Sequence, residues 1–275
     1  MHLSARLEAV VGLRLDRFDV RFDDRRTQSR FSSRDTLVSP RAALIFKPLT
    51  TASVYGSYTL AYLPRAGEQL SSLSLTNQAL DPERFVNTEL GAKWQPARGV
   101  ALSAALYQLT RGNVVVADPL DVTRSILVDG ERARGLELEA TGHVTGRWTV
   151  LGAYAYQDGR ITTRLSASVP AGATLAQLPR HSFSVWNKYT VTRQVALGAA
   201  LSHRSDVFAA ADNTVTLPAY TRGDGALFVT LSRHLQAQLN VENLTNRRYA
   251  LFAHSNNNIT PGSPRSARLS VTARF

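Results

Sequence analysis

Side chains able to do covalent chemistry occur in this sequence, but they are not arranged for it. Serine, histidine and aspartate are all present, yet there is no Gly-x-Ser-x-Gly elbow or comparable nucleophile motif. The six histidines show no His-x-x-x-His or similar ligand spacing, which argues against a metal site. Cysteine is absent, so neither a disulfide framework nor a thiolate site is available. A formal net charge of +11 raises the question of a nucleic-acid partner. The arginines, however, are spread along the whole chain instead of lining one predicted helix, so neither an enzyme nor a nucleic-acid binder is expected. The side chains left to explain sit near the ends of regular segments, and those segments have to be identified first.

The dominant hydrophobic period is two. At the C-terminus Ala267, Leu269, Val271, Ala273 and Phe275 share one face, opposite Ser266, Arg268, Ser270, Thr272 and Arg274. Leu235, Ala237, Leu239 and Val241 repeat the pattern, as do Leu7, Ala9, Val11, Leu13 and Leu15. No apolar run reaches the ~18 residues of a transmembrane helix. A membrane chain without such helices must use a closed sheet, because lipid offers backbone groups no partners. Met1 to Arg6 lacks the basic start and apolar run of a signal peptide. The expected fold is therefore all-β, an antiparallel transmembrane β-barrel. Strands are expected over 6–23, 35–48, 52–63, 83–96, 99–113, 133–143, 147–159, 181–191, 194–205, 218–232, 235–247 and 264–275. Long loops are expected over 24–34, 64–82, 114–132, 160–180, 206–217 and 248–263, with short turns between the other pairs. That alternation fits short periplasmic turns and long extracellular loops. Aromatic residues near strand ends, from Tyr55, Tyr58 and Tyr62 through Trp94, Trp148, Tyr154, Tyr156, Trp186 and Tyr189 to Tyr220 and Tyr249, suit a membrane boundary. Arg14, Glu89, Lys93, Glu137, Glu139, Glu242, Arg268 and Arg274 are expected to face a lumen, since lipid-facing charge costs roughly 2–4 kcal/mol at the midplane.

The tail carries a specific likeness. Leu239-Asn240-Val241-Glu242-Asn243-Leu244-Thr245-Asn246-Arg247-Arg248-Tyr249 resembles the penultimate strand of TonB-dependent receptors. Pro261-Gly262-Ser263-Pro264-Arg265, followed by alternation to Phe275, resembles their final hairpin. Upstream, Ser39-Pro40-Arg41, Val54-Tyr55-Gly56-Ser57-Tyr58, Glu89-Leu90-Gly91-Ala92-Lys93-Trp94, Arg134-Gly135-Leu136-Glu137 and Tyr220-Thr221-Arg222-Gly223-Asp224 follow in the family's order. His254 to Gly262 resembles the last loop of catecholate siderophore receptors.

What the resemblance implies is a barrel of about twenty-two strands around a plugged lumen, of which this sequence supplies the C-terminal part. A plug, a TonB box and a signal sequence have no counterpart in it. The implied function is uptake of ferric siderophores, of catecholate type, with no resident cofactor or metal. The implied partners are the TonB complex, outer-membrane lipid and lipopolysaccharide, and the barrel-assembly machinery, which would read Leu269, Val271, Ala273 and Phe275 as a terminal signal. Anionic chelates call for basic, hydrogen-bonding and aromatic loop residues. Arg111, Asn113, Arg124, Arg180, His181, Arg204, Tyr249 and His254 are the candidates. Two alternatives stay open: a stand-alone twelve-stranded passive channel and a soluble β-sandwich.

Overall fold

A strand with one apolar and one polar face is usable only beside neighbours that present like faces on the same side, and this sets its register. The computed structural model describes residues 1–25, 28–64, 80–118 and 124–274. Its strands are β1 (Leu7–Asp24), β2 (Ser29–Leu49), β3 (Ala52–Leu63), β4 (Glu83–Ala97), β5 (Val100–Gly112) and β6 (Val114–Ala117). Next come β7 (Ser125–Val128), β8 (Glu131–Thr145), β9 (Trp148–Ile161), β10 (His181–Thr190), β11 (Val195–Arg204) and β12 (Val207–Phe208). The last are β13 (Thr216–Leu217), β14 (Tyr220–Thr230), β15 (Leu235–Glu242), β16 (Ala250–Ser255), β17 (Asn258–Pro261) and β18 (Ser266–Ala273). Twelve of them form one antiparallel sheet in the order β1-β2-β3-β4-β5-β8-β9-β10-β11-β14-β15-β18, each pairing with its sequence neighbours. All twelve segments read from the alternation are found in this sheet.

The register keeps every face consistent. Leu90, Leu106, Leu136 and Tyr156 are successive partners across β4, β5, β8 and β9, and His181 on β10 extends the row. The row Ala92, Ala104, Leu138, Tyr154, Phe183 and His203 runs two residues below. The opposite face carries Glu89, Tyr107 and Gly135 in one row and Lys93, Ser103 and Glu139 in another. On that polar face aromatics lie flat over glycines: a Cβ at Gly91 would strike the Tyr55 ring, and one at Gly135 the Tyr107 ring. The apolar face is strongly exposed, with Val11 at 77% and Leu269 at 68%. These side chains have lipid as their natural solvent.

The apolar band has the right height. On β9 it runs from Trp148, which donates from Nε1 to Asn187 at 3.2 Å and pairs with Tyr189, up to Tyr156. The eight residue steps between them cover about 26 Å along the strand. A tilt of 35–45° brings this to roughly 20 Å, and the rings at both ends extend it toward the ~25 Å of outer-membrane barrels. The aromatics divide between the faces. Tyr58, Tyr62, Trp94, Trp148, Tyr154, Tyr156 and Tyr189 share the apolar face, as a boundary belt requires. Tyr55, Trp186 and Tyr220 fall on the polar face by strand parity, which the sequence reading had not separated.

The connections differ from expectation at one end. Short turns form as read, and three are closed by hydroxyls. Thr145 Oγ1 accepts from Trp148 N, Thr192 Oγ1 from Val195 N and Ser232 Oγ from His234 N, at 3.0–3.2 Å. The expected 24–34 loop is instead a continuation of β1 and β2. Arg30 pairs with Asp23 at 3.0 Å, Arg34 with Asp19 at 2.9 Å, and the Phe22 and Phe31 rings stack at 6.2 Å. Cross-strand charge and ring pairs stabilise a hairpin that shows no apolar alternation. The loops expected over 114–132, 206–217 and 248–263 contain the hairpins β6–β7, β12–β13 and β16–β17. Among the described residues, β1 pairs with β2 and β18 with β15; the other edge of β18 is free, and that of β1 is free beyond Ala9, where the fold-back of Met1–Leu3 ends.

The face assignment makes a testable contrast. Val185 lies in the apolar row with Gly152 and Leu201, midway up the band, while Ser184 beside it points to the polar face. Val185→Arg should cost about 2–4 kcal/mol in urea unfolding from lipid vesicles. Ser184→Arg should cost under about 1 kcal/mol.

Candidate functional site

At the long-loop end, three connections fold into one body. Residues 162–180, 205–219 and 243–265 meet around a small apolar core of Val207, Ala209, Leu217 and Ala253. Amide side chains clasp them together. Gln177 donates from Nε2 to the carbonyls of Ala209 at 3.0 Å and Ala253 at 2.6 Å, and its Oε1 accepts from Ala253 N at 3.3 Å. Asn213 binds both backbone groups of Thr174, accepting at 2.7 Å and donating at 2.9 Å. Asn256 donates to Asp212 Oδ2 at 2.8 Å and Thr214 Oγ1 at 3.0 Å. Gln177 and Asn213 have φ of 60° and 56°. That left-handed backbone costs energy for a non-glycine residue, and the surrounding bonds must hold it in place.

Beneath this cap the polar face carries an alternating stack of cations and rings. Arg204 at the end of β11 lies directly opposite Tyr220 on β14, with its guanidinium 5.0 Å from the ring centre. The Tyr220 ring is 4.3 Å from that of Tyr249. The Tyr249 hydroxyl accepts from Arg222 Nη1 at 3.3 Å. A Cβ at Gly262 would strike the Tyr249 ring, so the approach of this loop requires glycine there. Arg204 donates to the carbonyls of Leu251 and Ala250, and Arg222 to Asp224 Oδ2 at 2.8 Å.

The stack is anchored through Asn243. Its backbone N–H donates to Asp224 Oδ1 at 2.7 Å. Its side chain binds Arg247 N and O and Ser263 O. Asn243 is fully buried with φ of 53°. The Nε groups of Arg204 and Arg222 are buried without a partner among the described residues. Two guanidinium groups flank two rings here, an arrangement whose chemistry suits charge-assisted hydrogen bonds and ring contacts.

The other candidates lie elsewhere. Arg111 is neutralised by a bidentate bridge to Glu83 at 2.7 and 3.0 Å and a third bond to Glu131 at 3.2 Å. Asn113, with φ of 59°, donates to the Pro82 carbonyl at 2.9 Å. Arg124 is exposed beside β7, where its carbonyl accepts from Asp118 N. His254 is exposed on β16. Arg180 and His181 turn to the apolar side: Arg180 covers the Tyr156 ring at 5.9 Å, and His181 Nδ1 meets the Tyr154 hydroxyl at 2.9 Å. Arg204 and Tyr249 are therefore the two that share one site. Tyr220, Arg222, Asn243 and Gln177 were not singled out as site residues. The available signal was Tyr220-Thr221-Arg222-Gly223-Asp224 followed by Asn243, whose parity places Tyr220, Arg222 and Asp224 on one face. Leu269, Val271 and Ala273 lie on the apolar face of β18. Phe275 is outside the described residues.

A twelve-stranded meander with an apolar outer band and a cap of loops over one end is the architecture of an outer-membrane barrel wall. Residues 1–244 match the family described as TonB dependent receptor-like, beta-barrel. The ferrioxamine B receptor of Salmonella typhimurium is 32% identical over 96% of this chain and 38% of its own length. The catecholate siderophore receptor Fiu of Escherichia coli K12 is 26% identical over 96% of this chain and 39% of its own. The crystal structure of the siderophore receptor PiuA from Acinetobacter baumannii superposes with a TM-score of 0.91 at 25% identity, over 99% of this chain and 41% of PiuA. The chain belongs to the TonB-dependent receptor β-barrel family and is an outer-membrane protein of the Gram-negative type. It spans about two fifths of the relatives it matches, and those relatives are receptors.

Two outcomes follow for the cap. Asn243→Ala removes three side-chain hydrogen bonds at a buried left-handed position. It should cost about 2–4 kcal/mol and raise hydrogen exchange across 243–265. Asp212 is held below its ordinary pKa of 3.8, first by the Thr214 backbone N–H and then by Asn256. A depressed carboxylate contributes fully above that ordinary value and loses its contribution as pH falls through its folded one. Exchange protection of 210–215, corrected for intrinsic rates, should therefore fall below pH 3.8, and Asp212→Asn should remove that dependence.

Proposed function

We propose that this chain is the C-terminal part of a TonB-dependent receptor barrel that takes up ferric siderophores, forming barrel wall and ligand-binding loops. The observation that carries this is the Arg204–Tyr220–Tyr249–Arg222 stack on the lumenal face, under a cap clasped by three amides. The names of its relatives include a catecholate siderophore receptor and a ferrioxamine B receptor. Charge favours the first. Three dianionic catecholates around a ferric ion leave a trianion, whereas three monoanionic hydroxamates leave a neutral centre. A site with two arginines and two tyrosine rings gains charge-assisted hydrogen bonds and ring contacts from the trianion.

The free edges of β1 and β18 support the reading of a partial wall, because lipid does not tolerate an unpaired edge. Further strands would close the barrel, and a plug and the TonB complex would drive passage. Leu269, Val271, Ala273 and Phe275 would serve recognition by the barrel-assembly machinery. Lipid and lipopolysaccharide would surround the apolar band. The polar lumenal charges, Glu89, Lys93, Glu137 and Glu139 among them, would face the plug.

Binding of ferric chelates to the full receptor tests this. Arg204→Ala and Tyr220→Ala should each weaken binding of a ferric tris-catecholate by about 10–100-fold, the effect of losing roughly 1.4–3 kcal/mol. They should change binding of a neutral ferric tris-hydroxamate by less than about threefold. Tight hydroxamate binding lost in both variants would reassign the substrate class, and unchanged binding of both chelates would remove the stack from the site.

A further inference from the structure

The lumenal face is not uniform in charge. Among the described residues, β4, β5 and β8 present five carboxylates to it, Glu83, Glu89, Glu131, Glu137 and Glu139, against the two cations Lys93 and Arg111. Across β10, β11, β14, β15 and β18 the balance reverses, and Lys188, Arg204, Arg222 and Arg268 outnumber Asp224 and Glu242. Strand β9 separates the two sectors with the uncharged Leu151, Ala153 and Ala155. One sector of the wall therefore repels an anion and the other attracts it, and low-dielectric walls focus such a field into the lumen.

The attractive sector continues from the Arg204–Tyr220 stack toward the turn end. Arg222 is paired with Asp224 at 2.8 Å. The next cation is Lys188, six residues along β10 from Ser182, the partner of Arg204. Its ammonium lies 4.4 Å from the centre of the Phe228 ring and has no ion pair among the described residues. Its cross-strand neighbours Thr149 and Gly198 are uncharged, as are Ala196 and Gln238 beside Phe228. The arrangement repeats that of Arg204 on Tyr220, a cation held over an aromatic ring of β14. A cation on a ring keeps its outward donors for an anion.

Between the two cation–ring pairs the wall is hollow. On β11 the lumenal positions are Ala196, Gly198, Ala200 and Ser202, so no large side chain fills the strip between β10 and β14. A cavity of about 420 Å³ opens beside it, lined by Leu151, Ser184, Trp186, Ala200 and Ser202, with Glu139 on its far side. The Trp186 indole lies over Gly198, where a Cβ would strike it. From Tyr220 to Phe228 is eight residue steps along β14, about 26 Å. Trp186, across Ala200 from Asp224, stands at the midpoint of that span.

We propose that Lys188, Phe228 and Trp186 form a second anion station on the lumenal wall, which receives the ferric catecholate after it leaves the Arg204–Tyr220 stack and leads it down the β10–β14 side. A multiply charged chelate gains cation contact at each end of the span and ring contact on Trp186 between them. The carboxylates of β4, β5 and β8 repel it from the opposite sector. Lys188 is about 20 Å along the strand from the first site, so it acts on transfer and not on first capture. This rests on the reading that the receptor takes up an anionic ferric catecholate, and adds the route by which that anion moves.

The test uses the full receptor in energised cells and in cells whose proton-motive force has been collapsed, which separates uptake from binding. The probes are a hexadentate ferric tris-catecholate, a trianion, and a tetradentate ferric bis-catecholate, a monoanion with the same rings. In Lys188→Gln, binding of the trianion without energy should stay within about twofold of wild type, while its uptake slows at least about fivefold. Uptake of the monoanion should slow by less than about twofold. Lys188→Arg, which keeps the charge, should retain uptake of both. Lys93→Gln, in the acidic sector, should not discriminate between the probes. Should Lys188→Gln not reach the outer membrane, Phe228→Leu decides: without the ring that holds the ammonium, the same split between trianion and monoanion is expected. Equal slowing of both probes would give Lys188 a structural role only. Binding weakened in step with uptake would place it in the first site, and unchanged uptake would remove it from the route. Each of these three results overturns the proposal. Failure of the wild type to bind either probe would instead strike the catecholate reading, and the proposal with it.

Discussion

Backbone hydrogen bonding in a solvent that offers none governs this structure. Every peptide group in the apolar band must find its partner on a neighbouring strand, so pairing is continuous from β1 to β18. Continuous pairing in turn locks the register, and the register decides which side chains see lipid. Row by row, Leu90–Leu106–Leu136 faces one medium and Glu89–Tyr107–Gly135 the other. A slip of one residue would exchange the two rows and place Glu89 in hydrocarbon. The position of Arg204 beside Tyr220, and of Arg132 beside Arg160, follows from this same constraint.

That constraint also explains what could be read from the sequence. Twelve strands were legible because burial in lipid on one face writes an alternation into residues such as Leu235-Gln236-Ala237-Gln238-Leu239. The 24–34 segment was misread because its pairing is stabilised in water by Asp23–Arg30, Asp19–Arg34 and Phe22–Phe31, contacts that have no period. The site was only partly legible. Arg204 and Tyr249 were picked out as polar loop neighbours. Arg180 and His181 have the same chemistry, but strand parity turns them to the other side. Tyr220 and Arg222 open β14, and only the pairing of β14 with β11 brings Tyr220 opposite Arg204. Gln177 and Asn213 gave no sign at all, because their partners lie 76 and 39 residues away.

The two ends of the sheet are built on different economies of interaction. The turn end uses hydroxyls within a few residues, as Thr145, Thr192 and Ser232 do. The cap end uses amides that reach across to another connection, Gln177 and Asn213 to backbone groups and Asn256 to the side chains of Asp212 and Thr214. An amide has both donor and acceptor and no charge, so Gln177 and Asn213 each accept and donate within the cap without adding charge to it. On the face below, Arg204 and Arg222 stand against the rings of Tyr220 and Tyr249.

The reach of the Gln177 clasp also sets an order of events during assembly. Its bonds to Ala253 close a 76-residue loop, whereas each hairpin turn closes only a few residues. Contacts of that span cannot reward their closure entropy until the strands between them are paired. Strands β10, β11, β14 and β15 therefore have to zip up first, and the cap forms last, when its parts have been carried into proximity. A chain with a strand out of register cannot bring Gln177 to Ala253, so completion of the cap reports that the wall beneath it is correctly built.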